Sequence, residues 1–189
     1  FKKKISSTIF MACCSSLLFA QMPTNGLDVK HYAFNISLND SNNIIYGKAL
    51  VTTGFTEKIN QVQLDLANKN KAGKGMNVTE VLKNNMPMHF IQDAQHLLID
   101  DNCSPGMENT YTISYVGEPL DGLIISNTKN GQRSFFADNW PNRAQNWIPC
   151  NDHLSDKATV EFMVNAPDHY QVISNVREIE VTHLTGNMK

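Results

Sequence analysis

The one stretch whose residue types and spacing suggest chemistry lies between positions 135 and 157. It holds both tryptophans of the sequence, Trp140 and Trp147, together with Pro141, Arg143 and Pro149. Such a loop is too aromatic to be a mere connector, since large amphipathic rings are suited to contact. It is not equipped to cleave a bond. It contains no metal-ligand spacing, no nucleophile with a base beside it and no phosphate-binding glycine loop. The six histidines, His31, His89, His96, His153, His169 and His183, are scattered, and a hydrogen-bonded or exposed structural role is expected for each. Asp100 and Asp101 read as solvated acids in a turn and not as a calcium site.

The loop needs a scaffold, and the chain around it reads as strands. Residues 30–38 alternate polar and apolar strictly, and residues 39–43, Asn-Asp-Ser-Asn-Asn, supply turn chemistry. Residues 44–55 return as a second strand in which Gly47 marks a bulge or a close approach. Short runs at 61–66, 78–82, 88–91 and 96–99 follow, with an exposed loop expected at 67–76 and turn punctuation at 100–106. Residues 110–117 form the clearest β segment. Residues 123–125 suggest a short strand, 128–132 a turn, and 158–165 an alternating strand after the tryptophan loop. Trp147, Ile148 and Phe162 have spacing that suits a core. Asp152 reads as a turn or cap residue, and Asp156 and Lys157 as surface groups or partners of Asp152. No segment after residue 20 keeps helical periodicity, so the fold class is all-β: an antiparallel sandwich or saddle of short strands.

Composition bounds the rest. With 189 residues and 41% apolar residues, the chain suits one domain, or one and a fraction, with a packed core. Residues 1–20 carry Lys2, Lys3 and Lys4, an apolar run over 5–19 and Ala20 before Gln21. They read as an export signal, leaving residues 21–189 as the domain. The apolar run is too short to span a bilayer, so no stable membrane span is expected. Removing those three lysines from the 16 basic residues leaves 13 against 18 acidic ones, a formal charge of −5. That balance gives no electrostatic footprint for nucleic acid. Export permits a disulfide between Cys103 and Cys150, but two separately buried thiols are the preferred reading.

The residues also carry a resemblance. His31-Tyr32, Tyr46-Gly47, Leu64-Asp65-Leu66, Leu97-Leu98-Ile99 and Ile113-Ser114-Tyr115-Val116-Gly117 resemble, in that order, the amino-terminal β domain of the gluzincin aminopeptidases, the family of aminopeptidase N. The loop is more specific. Asn139-Trp140-Pro141-Asn142-Arg143-Ala144, Trp147-Ile148-Pro149-Cys150, Asp152, Ser155-Asp156-Lys157-Ala158-Thr159-Val160 and Val172-Ile173-Ser174-Asn175 are similar to the family's Pro-Cys element, in a tryptophan-rich form like that of a bacterial branch.

The resemblance implies a zinc exopeptidase whose His-Glu-x-x-His helix and Gly-x-Met-Glu-Asn strand lie in a catalytic domain of the same polypeptide. Neither motif occurs here, so this chain is expected to hold no metal, with zinc belonging to the full-length enzyme. In the family, a Gln or Glu of the loop holds the ammonium of the peptide substrate. That position falls on Trp140, or on Asn139 after a shift of one, so Asn139 is expected to accept from the ammonium or Trp140 to face it by cation–π attraction. Packing is weighed equally for these two. Gln145 stands where the family often has Arg, and Arg143 is a candidate replacement. The resemblance further implies a strand at 178–183, a turn at Thr185-Gly186 and closing strands beyond, so an incomplete domain of a larger enzyme is expected. Two other readings are an exported β-sandwich module that binds glycan or protein, and an interaction domain whose edge near Val181 accepts a partner's strand.

Overall fold

The computed structural model describes residues 26–189, and the expected export signal lies outside the described residues. Eleven strands are present among the described residues: β1 (Leu27–Ser37), β2 (Ile45–Phe55), β3 (Ile59–Asp65), β4 (Gly75–Lys83), β5 (Met86–Pro87), β6 (Phe90–Gln92), β7 (His96–Cys103), β8 (Glu108–Glu118), β9 (Leu123–Asn127), β10 (Arg133–Ala137) and β11 (Thr159–Asn165). They form a six-stranded sheet in the order β11-β1-β2-β8-β4-β5, a three-stranded sheet in the order β3-β7-β6, and the separate hairpin β9-β10. The expected all-β sandwich is what forms. Every pairing is antiparallel except β1 with β11, which run parallel from His31 opposite Thr159 to Ser37 opposite Asn165.

Alternation explains the layers. In β2, Ile45, Gly47, Ala49 and Val51 are buried while Tyr46, Lys48 and Leu50 face out. Tyr111, Ile113 and Tyr115 of β8 continue that buried face, and Val62, Leu64, Leu97 and Ile99 meet it from the smaller sheet. Each fully buried large side chain contributes roughly 1.5–3 kcal/mol. Gly47 is a close-packing point: a Cβ there would sit 2.1 Å from Cζ of Tyr115, its cross-strand partner. The β1–β2 connection is an Asx turn, in which Asn39 Oδ1 accepts from the backbone N–H of Ser41 at 2.8 Å and of Asn42 at 2.9 Å.

Several expectations need correction. Asp100–Cys103 is not a turn, because β7 continues through it. Asp101 there is nearly buried, and its Oδ2 accepts from Lys83 Nζ at 2.6 Å, Tyr111 OH at 2.7 Å and Asn109 Nδ2 at 3.2 Å. Three donors on β4 and β8 compensate a carboxylate from the other sheet, so the two layers are tied at this end. The exposed loop expected at 67–76 is shorter, since Ala67 is buried and Met76 is fully buried in β4. Strand β10 overlaps the start of the stretch read as a loop from residue 135. Phe162 is 37% exposed, because β11 is an edge strand, although its ring stacks on Phe34 at 5.4 Å. Residues 178–183 alternate correctly but form no strand, having no neighbour to pair with among the described residues, and Ile179 is 88% exposed.

Cys103 and Cys150, the two cysteines among the described residues, are free and buried. Ile59 pairs with Cys103 and Asp65 with Cys150, six residues apart along β3. At about 3.3 Å per residue that separates them by about 20 Å, far beyond disulfide reach.

Candidate functional site

The tryptophan loop is fastened to the outer edge of β3. Asp65 and Cys150 exchange two backbone hydrogen bonds of 2.7 and 3.1 Å, and Ala67 N–H donates to the Gln145 carbonyl at 2.8 Å. Trp147 and Ile148, each 5% exposed, drive their side chains into the core, which confirms their packing role. Gly122 makes room for this. A Cβ at that position would lie 2.3 Å from the Arg143 carbonyl oxygen and 2.9 Å from Trp147 Cδ1, and its φ of +78° suits only glycine comfortably.

Above these anchors the loop closes on itself. Arg143 Nε donates to the Trp140 carbonyl at 2.7 Å, its Nη2 to Asp138 at 2.5 Å, and its Nη1 lies 3.7 Å from Asp121. Trp147 Nε1 donates to Asn139 Oδ1 at 2.9 Å. Gln145 Nε2 donates to the Asn142 carbonyl at 3.3 Å, across a short 3₁₀ turn at Ala144–Asn146. Of the four candidate contact residues, Asn139, Arg143 and Gln145 therefore have side chains engaged inside the loop. Trp140 differs: its side chain projects outward and is 69% exposed. Arg143 does form an ion pair, with Asp138 and Asp121.

The segment after Cys150 carries buried charge. Asp152 N–H donates to Asp65 Oδ2 at 2.9 Å, and Asn151 N–H donates to the Tyr32 hydroxyl at 2.8 Å. Burial raises the Asp152 carboxyl above its ordinary range, an effect offset in part by the backbone N–H groups of Gln145 and Ala144, which face it. The 3₁₀ turn is flanked by Arg143 and has no side-chain cap, so Asp152 is not its cap residue, and Asp152 Oδ2 is buried without a hydrogen-bond partner among the described residues. Asp156 is not a surface group. It accepts from Asn151 Nδ2 at 2.5 Å and from Val29 N–H at 3.3 Å, and burial raises its carboxyl too. Lys157 is exposed.

Sequence reasoning missed Gly122, Asp121 and Asp138. The Asp-Gly pair at 121–122 was a readable turn signal; the ion pair of Asp138 had none.

The family model for the peptidase M1 N-terminal domain matches residues 28–189. This chain belongs to that family. Solved structures share the fold of this M1 N-terminal domain. The M1 zinc metallopeptidase from Deinococcus radiodurans superposes with a TM-score of 0.73 at 24% identity, over 87% of this chain and 38% of that one. A mutant of that enzyme bound to a Tyr-Ser-Ala substrate gives 0.72 at 22% identity, over 90% and 39%. A two-domain M1 zinc metallopeptidase mutant bound to L-arginine gives 0.61 at 25% identity, over 75% and 33%. The chain therefore spans under two-fifths of the length of these structures. A comparison with curated protein sequences gives no match.

Zinc does not fit the residues in hand. Among the described residues no three His, Cys, Asp or Glu side chains are placed to hold a metal ion. His89 meets Asp100 at 2.6 Å, His183 meets Asp168 at 3.1 Å and His169 lies 3.4 Å from Asp40, one carboxylate apiece, while His31 and His153 meet hydroxyls. His96 lies between Asp93 at 3.2 Å and Asp65 at 3.8 Å, without the convergence a metal requires. No helix among the described residues is long and apolar enough to cross a membrane.

Proposed function

We propose that this M1 N-terminal domain is the non-catalytic platform of an exported, zinc-dependent aminopeptidase. Its tryptophan loop leans on a catalytic domain of the same polypeptide, which carries the metal. The observation that carries this reading is the family match over residues 28–189. The loop supports it. A neighbour approaching this face meets an exposed indole on a backbone held by two buried anchors and an ion-paired arginine, the form that aromatic interface anchors take. Export rests on the leading lysines and apolar run.

Within this reading the loop frames the amino end of a peptide substrate. Trp140 offers its ring face to the ammonium, and Asn139 Oδ1, fixed by Trp147, has a second lone pair with which to accept from it. Arg143 and Gln145 act one step behind, by holding the loop's shape. Residues 21–189 alone are expected to show no hydrolysis of amino-acid anilides, with or without zinc. In the enzyme containing both parts, Trp140→Ala is expected to raise KM by about ten-fold, the scale of one lost cation–π contact with a desolvated charge. Turnover by residues 21–189 that survives metal removal would overturn the assignment.

A further inference from the structure

A second surface lies away from the tryptophan loop, where the β1–β2 turn, the tip of the β9–β10 hairpin and the segment after β11 meet. Two clefts of about 350 and 490 Å³ adjoin there and share Asp40 and His169. We propose that this trough binds a polyhydroxylated ligand, a short saccharide.

The lining of the smaller cleft carries the argument. Asp40 and Arg133 give it one charge of each sign, so a strongly charged ligand of either sign meets a repelling group. Thr128, Gln132 and Gln171 add a hydroxyl and two amides, which both donate and accept. An apolar ligand would bury these groups unpaired, at a cost of about 1–3 kcal/mol each. A saccharide satisfies them, because each of its hydroxyls is donor and acceptor at once.

The groups are also held in place. Tyr170 OH donates to Asp40 Oδ1 at 2.6 Å, and His169 Nε2 stands 3.4 Å from the same oxygen. The Tyr170 ring meets Phe135 edge-on at 5.4 Å on one side and the His169 imidazole at 4.3 Å on the other, which makes the exposed imidazole the outermost aromatic face. Arg133 Nη2 is fixed by the Asn42 carbonyl at 2.5 Å and Asn43 Oδ1 at 2.7 Å, and its buried Nε has no partner among the described residues. Asn187 and Asp168 extend polar lining into the larger cleft. The walls are chiefly side chains on loops, which suits a saccharide better than an extended peptide, whose main chain seeks a strand edge.

The test is a ¹H–¹⁵N titration of the enzyme containing both parts with maltotriose, mannotriose and chitotriose, with triglycine as control. At least one trisaccharide is expected to bind with Kd on the order of 1 mM, moving signals of residues 128–133 and 168–171. Gln171→Ala and Thr128→Ala, both on the surface, should each weaken binding at least about five-fold with unchanged melting, while Trp140→Ala leaves it intact. Absence of binding at about 20 mM, indifference to both cleft variants, loss on Trp140→Ala, or equal binding of triglycine would each overturn the proposal. These outcomes are independent of the aminopeptidase reading.

Discussion

Two regions of this sandwich bury carboxylates in opposite ways. Between the sheets Asp101 takes hydrogen bonds from Lys83, Tyr111 and Asn109. Burial works to raise its carboxyl, but the lysine and the phenol outweigh burial and hold it below its usual range. In the segment that follows the tryptophan loop, Asp152 and Asp156 have fewer compensating donors, and burial wins. The first pairs its charge with a lysine. The second keeps a buried carboxylate oxygen, Asp152 Oδ2, without a partner among the described residues.

The contrast is broken most severely at Gly122. Gly122→Ala would push a methyl group into the Arg143 carbonyl and the Trp147 ring at a positive φ. A loss of about 3 kcal/mol or more is expected by urea unfolding, with displacement of the loop seen as a change in tryptophan fluorescence. Next comes Asp101→Ala, which leaves the partly buried Lys83 ammonium unpaired and should cost about 2 kcal/mol at pH 7. The pH dependence follows from the sign of the shift. With the folded carboxyl lowered, its contribution is present above the ordinary aspartate value of about 4 and is lost as pH falls through the folded value. Asp101→Asn should therefore destabilise at pH 7 and have little effect at pH 2, a difference that urea midpoints at the two pH values will show.

Asp152 sharpens the comparison from the other side. Its raised carboxyl means that the folded state disfavours the charge, so stability decreases as pH rises from about 4 through the folded value. Asp152→Asn is expected to be neutral or stabilising by about 1 kcal/mol at pH 7 and without effect at pH 3; clear destabilisation at pH 7 would show that the charge is compensated after all. The smallest expected change is Trp140→Ala, within about 0.5 kcal/mol on unfolding, because that ring is mostly in water. A large loss would mean that Trp140 packs and does not contact a neighbour.

Much of this could be read in advance. Strict alternation at 30–38, 44–55 and 110–117 identified β1, β2 and β8, since a half-buried strand enforces a period of two. The Pro-Cys element identified the family, and the burial of Trp147 and Ile148 follows from their aromatic and branched character. What stayed hidden depends on partners distant in sequence. Asp101 looked like a solvated turn acid because Lys83 and Tyr111 are brought to it only by sheet packing. Asp138 and Asp121 gave no sign that they would occupy Arg143. Phe162 alternates like a core residue yet sits on an edge strand, and residues 178–183 alternate like a strand with nothing beside them; periodicity describes a segment and says nothing of its neighbours. Of the four candidate contact residues, the pattern could not separate Trp140, which faces solvent, from Asn139, Arg143 and Gln145, which hold the loop.

The parallel join between β1 and β11 has a consequence for how the molecule comes together. His31 waits for Thr159, 128 residues later, before its outer flank is covered. This seam, the strand pairing with the longest intervening chain, carries the highest cost in loop entropy. Until it forms, the β1 edge stays bare and open to the wrong partner.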